Sequence, residues 1–237
     1  MTASEMYSRV GLRLNKEAPE REFYISERLA FLNEAQLYVA DKMPIEKVRQ
    51  LENVSDAQAV DANGAIDLTA LSPTILNGDR GVLDVLHSSG YYCSGPLDEE
   101  DRREVTELSI TFPSSRPAFW FIGTGLYLNP YTYGSTTGVI RYKGTPTAIT
   151  DSVACALNDD IQDIIVEYAV YIGLKTLAAS EGSNARLNAA LSVKAMAEGM
   201  ISSNTNNYTA PRRIRFEVGQ MNGNNYGGSD IKTRGRY

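Results

Sequence analysis

Apolar residues recur every three to four positions at both ends of this chain and nearly every second position through its middle. In ASEMYSRVGLRLN, Met6, Val10 and Leu14 stand four apart and predict a helix with Ser4 as its N-cap. A helix this short is marginal alone and needs a partner. After the polar link KEAPERE, the segment YISERLAFLNEAQLYVADKM predicts a second helix starting near Ser26. Ile25, Leu29, Leu32, Gln36 and Val39 lie near one face, and Phe31, Ala35 and Tyr38 widen it. Pro44 stops it, because the residue before a proline avoids helical backbone. Two helices joined by so short a link pack as an antiparallel or steeply crossed pair.

The period changes at Val60. The runs GAIDLTAL, GVLDVLHSSGYYC, VTELSITF, AFWFIGTGLYLN and TGVIRYKG alternate or are rich in β-branched and aromatic residues. The turn residues Asn77–Asp79 and Ser88–Gly90 separate some of them. They predict a small antiparallel sheet or sandwich, with the charged SGPLDEEDRREV as a solvated loop or single helical turn.

Helix then returns. In NDDIQDIIVEYAVYIGLKTLAAS, Asn158 is the predicted N-cap, and Asp159, Asp160 and Asp163 sit where the helix dipole favours anions. The apolar face runs through Ile161, Ile164, Ile165, Tyr168, Ile172 and Leu177. Gly182 and Ser183 break it. NARLNAALSVKAMAEGMISSN follows, with Leu187, Leu191, Ala195 and Met200 near one face and Ala189, Ala190, Ala195 and Ala197 small enough for close approach.

Past Ser203 the chain is rich in Asn, Gly, Arg and Tyr and cannot bury a core of its own. One piece, RRIRFEV, alternates, with Ile214, Phe216 and Val218 on one side and Arg213, Arg215 and Glu217 on the other. That is the pattern of a strand that joins an existing sheet edge. The class is therefore α+β: about four helices, two N-terminal and two C-terminal, with an inserted antiparallel β-rich region and an extended C-terminal arm. The predicted divisions are 1–55 with 155–203 for the helices, 56–154 for the insertion and 204–237 for the arm.

Composition adds a limit and a charge asymmetry. With 43% hydrophobic and 22% charged residues in 237, the chain can bury one sizeable core or two smaller ones. No run of 18 apolar residues and no apolar N-terminal stretch is present, which predicts a soluble protein that is neither exported nor membrane-bound. The net charge is −6. From Thr205 onward Arg212, Arg213, Arg215, Lys232, Arg234 and Arg236 face only Glu217 and Asp230, a local +4 that leaves −10 for the rest. An acidic body with a basic tail suits docking of the tail on acidic surface, including another copy of the body.

Candidate chemistry is sparse. Cys93 and Cys155 are too few and too distant for a zinc site or disulfide scaffold and read as buried thiols. His87 is the single histidine, so Ser-His-Asp, Cys-His and histidine-metal arrangements lack a second member. Glu99, Glu100 and Asp101 fall in a charged loop, and Asp159, Asp160 and Asp163 at a helix start. GTGLYLNPYTYG lacks the glycine spacing and lysine of a phosphate loop. The aromatics of FWF and YTY could stack on bases, with Arg141 and Lys143 near in sequence, but the acidic body argues for a packed sheet instead. No enzyme, metal or cofactor is expected.

The order of these elements resembles the head-to-tail adaptor (connector) proteins of tailed bacteriophages. FLNEAQ, Phe31 to Gln36, matches a YLNEAQ-like core in that family's early helix. Pro130, Tyr142 and Pro146 stand where it places its turn elements, and EYAVYIGL, Glu167 to Leu174, resembles part of its long helix. The resemblance covers most of residues 3 to 203. It implies a structural virion protein: a ring, typically of twelve copies, beneath the portal in the neck between head and tail, assembled in the host cytoplasm. Such a ring binds the portal protein and a tail or nozzle protein and continues a channel through which DNA passes without sequence recognition. An acidic lining keeps passing DNA from sticking. The arm, through Arg212, Arg213, Ile214, Arg215, Phe216, Val218, Lys232, Arg234, Arg236 and Tyr237, is expected to reach the portal or a neighbouring subunit. Closing a ring needs two different subunit sides, and Phe31 and Tyr38 are expected at or near that boundary. The alternatives are another neck or tail-completion component, or a nucleic-acid-binding assembly module.

Overall fold

The computed structural model describes residues 1–205 apart from Glu20, so every predicted contact of the arm from residue 206 onward lies outside the described residues. The chain divides into two compact units. Among the described residues, one joins Met1–Glu52 to residues 143–205, and the other is Asn53–Tyr142.

The first unit is helical. Helix α1 (Ala3–Glu17) buries the predicted stripe Met6, Val10 and Leu14 completely. Its N-cap is Thr2 rather than Ser4: Thr2 Oγ1 accepts from the Glu5 N–H (3.2 Å), while Glu5 Oε2 accepts from the Thr2 N–H (2.7 Å). This reciprocal pair satisfies two amides where Ser4 alone would satisfy one. Helix α2 (Ile25–Lys42) begins at Tyr24, whose N–H donates to Glu27 Oε2 (2.9 Å), so Ser26 lies inside it. Its buried residues are Leu32, Ala35, Gln36, Val39 and Ala40, whereas Ile25 at its start is exposed.

Helix α4 (Asp159–Glu181) is the axis of the unit. Its N-cap is Asn158, its C-cap is Gly182 in the left-handed region (φ 64°), and it buries residues on most of its circumference. That follows from its neighbours, because α1, α2 and α5 (Asn184–Thr205) all pack on it. Gly173 makes the approach possible: a Cβ there would lie 2.9 Å from Leu14 and 3.2 Å from Phe31. Arg9 and Arg13 of α1 pair with Asp163 (2.6 Å) and Glu167 (2.8 Å) of α4, fixing a parallel register. These partly exposed pairs set alignment more than stability.

The α5 seam differs from the predicted face. Ala190, Ala197 and Ile201 are buried, while Leu187 and Leu191 are exposed and Ala195 points outward with them. Alanines let the two backbones come close, and the larger leucines then fall outside the seam.

The second unit holds two antiparallel sheets. In one, β7 (Thr137–Lys143) lies between β4 (Val82–His87) and the short β1 (Glu52–Val54) and β2 (Gln58–Ala59). In the other, β6 (Gly125–Asn129) lies between β3 (Ala65–Asp67) and β5 (Ala118–Ile122), pairing Ile122 with Gly125 and Ala118 with Asn129 across a tight turn. Val85 and Ile140 from the first sheet meet Ile66, Phe119, Leu126 and Leu128 from the second in one core.

Two predictions in this unit are corrected. The charged stretch is not a loop or single turn: it forms helix α3 (Glu99–Glu107), capped by Asp98, with Val105 buried against Leu97, Phe112, Ala118 and Trp120. Sheet β3-β6-β5 is therefore covered on both faces, and AFWFI reads as a continuous apolar run for that reason. VTELSITF is not a strand. Its first residues complete α3, Ser109 turns with positive φ (50°), and Ile110–Phe112 is held by one side chain. Asn129 donates from Nδ2 to the Ile110 carbonyl (2.9 Å) and accepts at Oδ1 from the Phe112 N–H (2.8 Å).

Candidate assembly surfaces

The FLNEAQ motif has a clear local task. Asn33 Nδ2 donates to the Ile149 carbonyl (2.9 Å) and Oδ1 accepts from the Ile149 N–H (2.7 Å), while Gln36 Nε2 donates to the Thr147 carbonyl (3.1 Å). The two amides bind an extended strap, residues 147–149, along α2, in the way Asn129 binds Ile110–Phe112. Residues 143–154, predicted within the β-rich insertion, belong to the helical unit through this strap. No hydrophobic period signals it, since its fixing atoms are polar groups on a helix more than a hundred residues earlier.

Phe31 and Tyr38 flank that motif and are each half-buried. Phe31 meets Phe23 edge-to-face (centroids 6.2 Å), and Tyr38 stacks on Tyr168 (4.2 Å, 10°) with Lys42 over its ring. Burial, and then the neighbouring Tyr38, push the Tyr168 phenol up, so it stays protonated as a packing group. Both predicted boundary residues thus have partners inside the helical unit and keep part of their surface in solvent. The face of α5 that the sequence marks by Leu187, Leu191 and Ala195 stays exposed, with Met196 beside it.

Lys143, named with Arg141 beside the aromatics weighed for nucleic-acid contact, is buried, 8% exposed. Its Nζ donates to the Met43 carbonyl (2.7 Å) and the Asp41 carbonyl (3.4 Å) at the C-terminus of α2, where the helix leaves acceptors unpaired. Desolvation lowers its pKa to about 8 despite the opposing pull of Asp41.

In the β-rich unit His87 is a structural hub. Ser89 N–H donates to Nδ1 (3.0 Å), so Nε2 carries the proton and donates to the Pro130 carbonyl (3.0 Å). Burial pushes the Cys93 thiol up to about 12 and raises that of Cys155, leaving neither a ready thiolate. Among the described residues no group of three or more His, Cys, Asp or Glu could hold a metal ion, and no helix is long and apolar enough to cross a membrane.

The class these units define is an α+β protein whose helical body is interrupted by a two-sheet insertion and whose notable side chains fasten segments together. Residues 1–215 match the model of the SU10 adaptor protein family, and the chain belongs to that family. It is a bacteriophage adaptor, a structural component of the virion, as the resemblance of FLNEAQ and EYAVYIGL to head-to-tail adaptors implied. Such a family is not one of enzymes. No curated protein matches the chain.

Proposed function

We propose that copies of this chain close into a ring of twelve beneath the portal, joining the capsid vertex to the tail in the virion neck and continuing the DNA channel. The match of residues 1–215 to the adaptor family carries this reading. The helical unit forms the ring wall, with Phe31 and Tyr38 near the subunit boundary. The arm, through Arg212, Arg213, Ile214, Arg215, Phe216, Val218, Lys232, Arg234, Arg236 and Tyr237, docks on the portal or the next subunit. Its charge of +4 against −10 for the remainder supports an acidic receptor.

Electron microscopy of particles, with the chain carrying an electron-dense label, tests the placement: density directly beneath the portal is expected, and label elsewhere on the virion refutes it. Deleting residues 206–237 tests the arm. The helical content of the body should persist while attachment to portal-bearing heads weakens, and undiminished attachment excludes the arm from that contact.

A further inference from the structure

An open hollow of about 700 Å³ lies on the β-rich unit, bordered by β3, the turn that follows β5 and the loop carrying Tyr133. Apolar and aromatic side chains form part of its lining. Ile66 is buried, Tyr127 is fixed by stacking on Trp120 (6.0 Å, 9°), and Ile122 (48%) and Tyr133 (69%) are exposed.

Two carboxylates line the same hollow. Asp61 Oδ1 accepts from the Asn63 N–H (2.8 Å) and the Ala65 N–H (2.9 Å), and Asp67 Oδ1 accepts from the Thr69 N–H (2.9 Å) and the Thr69 hydroxyl (2.7 Å). The Ala65 amide at Asp61 and the Thr69 hydroxyl at Asp67 are the main causes that lower both pKa values, so both groups are ionised at neutral pH. No lining residue is Lys, Arg or His, and neither carboxylate pairs with a cation among the described residues. The cations of β7 are engaged elsewhere, Arg141 with Asp84 (2.6 Å) and Lys143 with the Met43 carbonyl (2.7 Å).

Two fixed carboxylates without a counter-ion, set beside exposed Ile and Tyr, suit arginine. Its fork pairs with a carboxylate while its stem lies on apolar surface and its plane stacks on an aromatic ring. This chain supplies such residues in pairs: Arg213 and Arg215 share one side of the alternating RRIRFEV, two residues apart. The points on β3 that place the two carboxylates, Ala65 and Asp67, are also two residues apart, about 7 Å along the strand. We infer that this hollow is the receptor for the arm of a neighbouring copy, with Arg213 and Arg215 of that copy paired to Asp61 and Asp67. Each copy has one hollow and one arm, so a single contact repeated around the ring satisfies all of them. A contact between unlike surfaces is also the kind that closes a ring. The inference rests on the proposed ring and names the acidic surface on which its arm docks.

The test uses intact particles carrying the photo-crosslinker benzoylphenylalanine in place of Tyr133. Irradiation should join two copies of the chain, with the linked peptide of the second copy containing residues 212–216. An adduct within one copy, an adduct to any other polypeptide or to DNA, or no adduct overturns the inference. Adding Arg213→Glu and Arg215→Glu changes only the arm and sets like charges against Asp61 and Asp67. The adduct should then fall about tenfold or more, and an undiminished adduct also overturns the inference. Absence of the unsubstituted chain from purified particles overturns the adaptor role itself, so the two failures are separable.

Discussion

Replacing Lys143 with methionine isolates the cost of burying one charge. In the folded chain the ammonium loses its hydration at 8% exposure and recovers two carbonyl acceptors of α2, at 2.7 and 3.4 Å. Its pKa falls from the ordinary 10.5 to about 8, with desolvation as the main cause. The folded value lies below the unfolded one, so between those pH values the unfolded chain binds more protons and stability rises with pH. The shift corresponds to about 3 kcal/mol in total, of which about 2.5 kcal/mol is recovered by pH 10. Methionine at this position does not titrate. The stability of wild type minus that of Lys143→Met should therefore climb by about 2–3 kcal/mol from pH 7 to pH 10, all other titrations being common to both chains. Urea unfolding followed by circular dichroism at a helix wavelength reads the helical unit, because the single tryptophan, Trp120, reports on the β-rich one. A difference that stays flat, or that falls with pH, refutes the picture of a charged lysine held beneath the end of α2.

Asn33→Ala removes both bonds to Ile149 and should cost about 2 kcal/mol in the same unfolding assay, with faster protease cleavage near residues 147–149; unchanged cleavage would show that the strap is held by something else. Gly173→Ala should destabilise by about 1–3 kcal/mol through contact with Leu14 and Phe31, although alanine is the better helix former. Gly199→Ala, with nothing within 4 Å of the added methyl, should stabilise by up to about 1 kcal/mol, and melting both variants checks the opposite signs. His87→Ala strands the Pro130 carbonyl and the Ser89 amide and should cost the β-rich unit about 2 kcal/mol, read from Trp120 emission during urea unfolding.

The elements easiest to read from sequence are those whose position is set by an apolar period. Met6, Val10 and Leu14 announce α1, and the apolar face of α4 with Gly182 behind it announces both the helix and its end. Where polar or small residues decide the packing, the same reasoning misplaces the face. In α5 the two leucines suggest the buried side, but alanines at 190 and 197 bring the backbones together and exclude them. In the charged stretch, the acids that read as a solvated loop stand at the start of α3, where the dipole favours them, and one buried valine fastens the helix.

Least legible are the contacts made by single amides across long sequence separations. Asn33 and Asn129 each grip an extended segment with one donor and one acceptor, a geometry that leaves no trace in periodicity or composition. FLNEAQ nonetheless carries a family resemblance, and Asn33 within it holds the strap. An asparagine at that position supplies a donor and an acceptor at the spacing of one peptide unit. Aspartate would lose the donor and leucine both, so the strap constrains the residue at 33 more tightly than hydrophobic burial constrains its neighbours.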